Sequence, residues 1–427
     1  NSTLIRRLLI ITQEAFVIQK KILRFQTFHS IQIQTIPLIQ FRLMKIAFDA
    51  KRAYQNGTGL GHYSRTLISS LAGFYPEHYY YLCAPGLTNR FDVSGFNNVE
   101  NIIPGNFLSK KLKSVWRSSW IKKDLQKRDI DIYHGLSHEI PVGIQKTGIR
   151  SVVTIHDLIF ERYPKQYNRI DVEIYRRKFK YACKNARHII AISKQTKEDI
   201  IDFYKIPEEK ITICYQSCNP AFAENISHTE KSRVKQFYKL PDRFFLYVGS
   251  IIERKNLLNI CKALFELKGK LDIPLVVIGD GEKYKQQVKE FISQNNLTKE
   301  VIFLSERESA KGSLAYQSAA DFPSIYQLSS GVIYPSVFEG FGIPILEALW
   351  SKVPVITSNI SCHPETGGDA AYYVNPYSSE EIAYAMVKLA TNETLVREMK
   401  EKGWLQAQNF TPQKCAENVM QVYLRLR

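Results

Sequence analysis

Two carboxylates flank a glycine-rich stretch in the second half of the chain. Glu339 and Glu347 lie on either side of Gly340 and Gly342. An ionised carboxylate has two acceptor oxygens and no donor, so it matches the paired hydroxyls of a sugar or a ribose. The two glycines let the backbone approach a ligand, and the free N–H groups of a helix start can bind hydroxyls or phosphates. The pattern indicates a sugar or nucleotide site; an ordinary strand-to-helix loop with solvated glutamates is the alternative.

The elements that would position these residues can be read on either side of them. Residues 331–334 are short, apolar and bounded by turn formers, which predicts a buried parallel strand. Pro344 suits the first position of a helix, and good helix formers follow it, so Glu347 is expected in the first helical turn.

The length of 427 residues suits two α/β domains of roughly 150 to 200 residues each. Further strands are predicted at residues 45–49, 151–155, 188–193, 244–248, 275–278, 301–304 and 353–357, with helices at 379–390, 395–408 and 412–427. A polar stretch after residue 223 predicts the domain boundary, giving domains at 44–223 and 224–409 and a last helix at 410–427.

Residues 1–43 lack a clear period, and Met44 opens a clean strand. We expect this segment to be an extension that is disordered or not native. It has no apolar run of the roughly 18 residues that span a membrane. The seven cysteines form no CxxC pair, which predicts buried free thiols in a reducing compartment, the cytoplasm.

The formal charge of +17 indicates an anionic partner: a phosphate-bearing ligand, an acidic lipid surface or nucleic acid. Residues 110–128 interleave lysines and arginines with apolar residues, which predicts one basic amphipathic helix. Binding to an anionic membrane surface and a solvated basic face are both open readings. No recognised nucleic-acid module accompanies the helix, so we expect no nucleic-acid partner.

Three features of the first half could carry chemistry. Gly59 and Gly61 follow the first strand, as an anion-binding loop or as a tight turn. His156 follows the strand at 151–155, at the strand end where open α/β sheets place ligand contacts, although a structural histidine is the plainer reading. Asp129 and Asp131 resemble a metal-binding pair, but they lead directly into a strand, so capping is favoured and no metal site is predicted.

Three segments of the second half resemble a known family of enzymes. Gly249 with Arg254-Lys255-Asn256, Gly279-Asp-Gly-Glu282 and Glu339-Gly-Phe-Gly-Ile-Pro-Ile-Leu-Glu347 resemble the retaining GT-B glycosyltransferases of family 4, and the resemblance extends over residues 44–427. It implies two Rossmann-like domains facing a central cleft, with the donor nucleotide held mainly by the second domain and the acceptor by the first. It also implies that the last helix crosses back to the first domain.

The resemblance implies a role for each matched residue. Arg254 and Lys255 would bind the donor diphosphate, Glu347 the ribose, and His156 would lie near the transferred sugar. Glu339, with the backbone of Gly340, Phe341 and Gly342, would hold that sugar, and Gly249 would lie at the donor site. The two cations would do the work of a metal, so no cofactor is expected besides the co-substrate. His62 stands where many relatives have arginine, and Gln216-Ser-Cys-Asn219 where relatives often have Asn-Gly-Val-Asp.

The implied activity is a retaining, metal-independent hexosyl transfer from a GDP- or UDP-sugar, with GDP-mannose as the first donor to expect. The acceptor would be a glycan or a lipid-linked glycan in lipopolysaccharide or capsule synthesis, at the inner face of the plasma membrane. A nucleotide-sugar epimerase or hydrolase of the same fold is the rival enzyme, and a basic nucleic-acid-binding protein is the rival from another class.

Overall fold

The computed structural model describes residues 43–427, which contain two parallel sheets of seven and six strands. The expected pair of Rossmann-like domains is therefore confirmed. The strands of the first sheet are β1 Lys45–Asp49, β2 Tyr79–Cys83, β3 Val99–Ile102, β4 Ile132–Gly135, β5 Arg150–Ile155, β6 His188–Ala191 and β7 Ile211–Ile213. Those of the second are β8 Phe245–Val248, β9 Leu275–Ile278, β10 Val301–Phe303, β11 Gly331–Tyr334, β12 Val355–Ser358 and β13 Tyr372–Val374.

Both sheets reverse their strand order near the middle. The orders are β3-β2-β1-β4-β5-β6-β7 and β10-β9-β8-β11-β12-β13. In the second sheet β11 pairs with β8, with Gly331 opposite Phe245 and Val332 opposite Leu246. Loops that leave neighbouring strands at such a switch point diverge and form a crevice at the carboxyl ends. The loops after β8 and β11 therefore meet at the point where a ligand is expected.

Helices connect the strands in each domain. In the first domain they are α1 Lys51–Gln55, α2 Gly59–Phe74, α3 Phe107–Lys111, α4 Lys113–Val115, a π-helical turn Trp116–Trp120, α5 Ile121–Gln126, α6 Ile159–Arg162, α7 Arg169–Asn185 and α8 Lys194–Tyr204. In the second they are α9 His228–Tyr238, α10 Leu257–Leu267, α11 Lys283–Gln294, α12 Glu308–Lys311, α13 Leu314–Gln317, α14 Phe322–Leu328, α15 Ile343–Trp350, α16 His363–Gly367, α17 Ser379–Thr391 and α18 Glu393–Ala407. The last helix is α19 Pro412–Arg425.

The last helix packs on the first domain. Val419, Met420 and Tyr423 of α19 belong to the same buried cluster as Ile46 and Phe48 of β1. The Tyr423 hydroxyl lies 2.6 Å from Nδ1 of His134, which is itself fully buried in β4. The chain thus leaves the first domain, builds the second and returns.

The prediction of one continuous helix over residues 110–128 is wrong. The segment is divided into α3, α4, the π-helical turn and α5. Trp116 is buried, and its indole N–H donates to Asp124 at 2.8 Å. Arg117 pairs with the buried carboxylate of Asp49 at 2.6 Å and with Glu139 at 3.0 Å. The π-helical turn changes the directions in which these two adjacent side chains leave the backbone, and both reach partners in the folded domain.

Other predictions concern strand bounds, the cysteines, the role of Asp131 and membrane-spanning segments. β1, β9 and β11 match their predicted strands residue for residue, and all seven cysteines are buried and free. The Asp131 carboxylate accepts the N–H of Lys45 at 2.9 Å, which confirms its capping role. Within residues 43–427, no helix combines the length and the apolar character needed to cross a bilayer. The expectation for residues 1–43 falls, apart from Leu43, outside the described residues.

Candidate active site

Two adjacent cations follow β8. Arg254 and Lys255 lie in a 3₁₀ turn, Glu253–Lys255, and the Arg254 side chain is only 8% exposed. The Lys255 ammonium donates to the Tyr334 hydroxyl at 2.7 Å. Gly249 has φ +152°, and a Cβ there would lie 3.1 Å from Cδ of Lys255. Any other residue at this position would therefore crowd the Lys255 side chain.

Glu339 meets both cations. Its Oε1 lies 2.8 Å from Arg254 Nη1 and 3.3 Å from Lys255 Nζ, and it accepts the Tyr334 O–H at 2.8 Å. Burial alone would raise the pKa of Glu339, but Lys255, Arg254 and the Tyr334 hydroxyl together lower it to about 2. The carboxylate is therefore ionised throughout the working range of a protein. All of these described contacts go to Oε1.

Glu347 has a different environment. It lies in the second turn of α15, because the helix begins at Ile343, and the expected first-turn position is wrong. Its Oε2 accepts the Tyr326 O–H at 2.6 Å. Burial raises the pKa of Glu347 to about 7, although Tyr326 and Lys255 act in the opposite direction. The carboxylate thus titrates near neutrality and gains from any ligand that donates hydrogen bonds to it.

The loop between the two glutamates is held by the segment after β12. The Ser361 hydroxyl donates to the Glu339 carbonyl at 3.1 Å, and the Thr366 hydroxyl donates to the Phe341 carbonyl at 2.5 Å. Gly342 has φ +91°, a left-handed conformation that only glycine adopts at little cost, and it caps α15. The loop is therefore fixed before any ligand arrives.

His156 brings the first domain to this loop. Its Nε2 lies 2.9 Å from the Leu136 carbonyl, which can only accept, so Nε2 carries the proton and Nδ1 is an acceptor. Burial lowers the pKa of His156 to about 4, so the ring is neutral. A Cβ on Gly340 would lie 2.2 Å from the His156 carbonyl oxygen, so the missing side chain is what lets the domains approach.

The glycine loop of the first domain is placed differently. A Cβ on Gly61 would lie 2.0 Å from the Asn56 carbonyl oxygen, and nothing lies within 4 Å of a Cβ on Gly59. Gly61 therefore serves the close packing of α1 against α2. The same helix α2 carries Tyr63, whose ring meets that of His156 edge-on with centroids 4.6 Å apart. Neither glycine makes a described contact with the Arg254–Lys255–Glu339 cluster.

Sequence reasoning missed several side chains of the site. Tyr334 had been read only as the apolar end of a strand, and Tyr326 as part of no motif. Asp157 follows His156 directly; burial raises its pKa, and the charges of Arg254 and Glu339 act on it in opposite directions. The one available signal was a polar group at the carboxyl end of β5. Within residues 43–427, no three His, Cys, Asp or Glu side chains are grouped so that they could hold a metal ion.

Two facing Rossmann-like domains, with a buried cluster of cations and carboxylates at the switch point of the second, define the GT-B class of glycosyltransferase. Residues 228–405 match the family described as glycosyl transferases group 1, and residues 57–222 match glycosyltransferase family 4. The chain therefore belongs to the glycosyltransferases that combine these two domains.

Named relatives and solved structures agree with this assignment. The chain is 25% identical to O-antigen chain mannosyltransferase B of Escherichia coli, over 89% of this chain and 99% of the relative. It is 26% identical to O-antigen chain mannosyltransferase RfbU of Salmonella typhimurium, over 76% and 85%. A glycosyltransferase of Rickettsia africae has the same fold, with a TM-score of 0.67 and 18% identity over 90% and 99% of the two chains. An Anabaena protein, Alr3699/HepE, in complex with UDP-glucose gives 0.67 and 16% over 90% and 100%.

Proposed function

We propose that the chain is a retaining, metal-independent hexosyltransferase that uses a nucleotide-diphosphate sugar to build a surface polysaccharide. The observation that carries this proposal is the buried cluster of Arg254, Lys255 and Glu339, with Glu347 on helix α15, which follows the Glu339 loop. The proposed roles are diphosphate binding for the two cations, sugar binding for Glu339 and ribose binding for Glu347.

The charges of the cluster suit the bond that must break. Negative charge grows on the leaving diphosphate as the glycosidic bond lengthens, and fixed cations in a dry site stabilise that charge without reorganisation. The cluster carries two positive charges and one ionised carboxylate, so its net charge is favourable for a diphosphate. Tyr334 and Glu339 hold Lys255 in place before the charge develops.

In the proposed mechanism the leaving phosphate takes the proton of the acceptor hydroxyl, and attack occurs on the face that the leaving group vacates. Glu339, with a pKa of about 2, and His156, with a pKa of about 4, are weak bases. Asp157 is the stronger competitor, because burial raises its pKa.

The variant Asp157→Asn separates the two mechanisms. If the leaving phosphate is the base, the variant should lose less than about ten-fold in rate, whereas loss of a general base costs roughly a hundred-fold or more. A drop of that larger size, with unchanged nucleotide binding, would assign the base to Asp157.

GDP-mannose is the first donor to test, because the named relatives are O-antigen mannosyltransferases. UDP-glucose is the second, because it is bound in the Anabaena structure of the same fold. A thermal-shift panel of GDP-, UDP- and ADP-sugars should show stabilisation by the true donor, since a ligand of the native state raises apparent stability.

We expect transfer to a glycan or lipid-linked acceptor in the presence of EDTA, with an α-linked product. Activity that returned only on adding Mg²⁺ or Mn²⁺ would contradict metal independence, and an epimer formed from donor alone would favour the rival enzyme.

We further propose that the reaction takes place at the cytoplasmic face of a membrane, with residues 107–115 against anionic lipid. Phe107 is 82% exposed and Leu108 54%, and the exposed lysines Lys110, Lys111 and Lys113 lie beside them. Exposed apolar side chains next to lysines suit the boundary between headgroups and acyl chains.

Sedimentation with vesicles tests this surface. Binding to phosphatidylglycerol vesicles should weaken in Phe107→Ser and in Lys110→Gln/Lys111→Gln, and vesicles of phosphatidylcholine alone should bind little. Equal binding of both variants and the parent protein would contradict the proposal, and salt-sensitive binding to duplex DNA instead would favour a nucleic-acid partner.

A further inference from the structure

The start of helix α8 in the first domain is capped by a side chain of the second domain. The first amide groups of a helix have no partner within it. In α8 the N–H groups of Lys194 and Gln195 donate to the two carboxylate oxygens of Glu365, at 2.7 and 3.1 Å. The next N–H, of Thr196, donates to the Ser193 hydroxyl at 3.0 Å, and that of Lys197 to the Ser193 carbonyl at 3.1 Å. Two of the four amides are thus satisfied only across the domain interface.

Glu365 is firmly held on its own domain. It lies in α16, where the Gln406 amide of α18 donates to the carbonyls of Glu365 and Thr366, both at 3.3 Å. The neighbouring Thr366 donates its hydroxyl to the carbonyl of Phe341, which lies in the loop of residues 339–342, here called the donor loop. The Glu365 carboxylate also accepts the O–H of Tyr215, which follows β7 of the first domain, at 3.3 Å. One short helix therefore holds both the donor loop and the first domain.

The capped end of α8 also contacts His156 and Gly340. Thr196, the third residue of α8, is buried. Its hydroxyl lies 3.1 Å from the carbonyl oxygen of His156 and 3.5 Å from that of Gly340. These two carbonyls belong to the two sides of the site. The start of α8, which Glu365 caps, is therefore linked to His156 through Thr196.

We propose that Glu365 is an interdomain positioning residue, which docks α8 on the second domain and so sets His156 against the donor loop. A carboxylate suits this role, because it accepts two hydrogen bonds from amides that carry the positive end of the helix dipole. Its part in transfer depends on the glycosyltransferase function proposed above, whereas its part in docking the domains does not.

The test compares Glu365→Gln and Glu365→Asp with Glu398→Gln, a matched change at an exposed glutamate of the same domain. Glutamine has one acceptor and would direct its NH₂ group at an amide donor, while aspartate keeps the charge but is one methylene too short. Hydrogen exchange reports docking directly: the amides of Lys194 and Gln195 should lose protection in both Glu365 variants, while those of β8 and β11 stay protected.

Transfer and binding are measured in parallel. With GDP-mannose and UDP-glucose as probes, the dissociation constant should change less than two-fold, since the donor residues all lie on the second domain. The rate constant of transfer should fall on the order of ten-fold or more in Glu365→Gln, as for the loss of a charge-assisted hydrogen bond. Glu398→Gln should match the parent protein in every measurement.

Three results would overturn the proposal: unchanged exchange at Lys194 and Gln195, an unchanged transfer rate, or a loss of protection spread over the whole second domain. The Glu365→Asp variant guards against global unfolding, because its smaller change should still expose the two amides. If the parent protein transfers no sugar, the proposed function fails, and the exchange measurement still decides whether Glu365 docks the domains.

Discussion

The pH dependence of donor binding should follow the titration of Glu347. Burial raises the pKa of this carboxyl to about 7, and its Oε2 already accepts the Tyr326 O–H at 2.6 Å. The hydroxyls of a ribose are donors, so they favour the ionised form. We therefore expect the affinity for a nucleotide sugar to increase as the pH rises through about 7 and to level off above about 8.

The size of the effect can be bounded from the same numbers. A pKa raised from 4.5 to about 7 means that ionising Glu347 costs the folded protein on the order of 3 kcal/mol. Because the folded pKa lies above the unfolded one, stability from this group is fully present below about pH 4.5 and is lost as the pH rises through 7. At pH 5.5 only about 3% of the carboxyl is ionised, so affinity should fall roughly ten- to thirty-fold from its plateau, limited by one lost charge-assisted hydrogen bond.

Isothermal titration calorimetry between pH 5.5 and 8.5 would measure this. Intact GDP-mannose and UDP-glucose are the better probes, because free nucleoside diphosphates titrate near pH 6 themselves. The Glu347→Gln variant should bind weakly at every pH. Tyr326→Phe removes a donor that lowers the pKa of Glu347, so its midpoint should move to higher pH. An affinity that stays flat across this range in the parent protein, or an unshifted midpoint in Tyr326→Phe, would refute the reasoning.

Three further changes test other parts of the molecule. Lys255→Ala should reduce transfer roughly a hundred-fold or more while the protein still folds, and Lys262→Ala, at an exposed lysine of the same domain, should do nothing. Gly340→Ala would place a methyl group 2.2 Å from the His156 carbonyl oxygen, so transfer should fall at least ten-fold, and unimpaired transfer would contradict the close approach of the domains. Arg117→Ala leaves the Asp49 carboxylate, 2% exposed, without its partner, which should cost about 3 to 5 kcal/mol in denaturant unfolding; a cost under 1 kcal/mol would mean that water replaces the arginine.

The fold could be predicted from local sequence because parallel strands buried on both faces are continuous apolar runs. β11, Gly331–Tyr334, shows this: all four of its residues are buried, and its ends are marked by turn formers on both sides. The glycine loop that follows is also a local feature of the sequence, and in the structure Gly342 has φ +91°, which favours glycine. Such features depend on residues close together in sequence.

The features that were missed depend on distant residues. Trp116 and Arg117 interrupt the helix predicted over residues 110–128, because their partners Asp124, Asp49 and Glu139 exist only in the folded domain. Tyr326 reaches Glu347 from a helix 21 residues earlier, and Glu365 reaches α8 from 171 residues away. No periodicity or motif records such pairs, and tertiary contacts override local propensity where they are buried.

The distribution of these contacts separates binding from transfer. The proposed donor residues Arg254, Lys255, Glu339 and Glu347, here called the donor half, all lie on the second domain. Tyr334 of that domain contacts Lys255 and Glu339, and Tyr326 contacts Glu347. His156 belongs to the other domain and is linked to this half through Gly340, Thr196 and the capping of α8. Tyr163 and Arg162 of the same domain also pack on Phe338, next to Glu339. Changes within the donor half should therefore weaken binding and transfer together. Changes at the interface should slow transfer and leave binding intact if, as proposed, the second domain holds the donor and the reaction also needs His156 of the first.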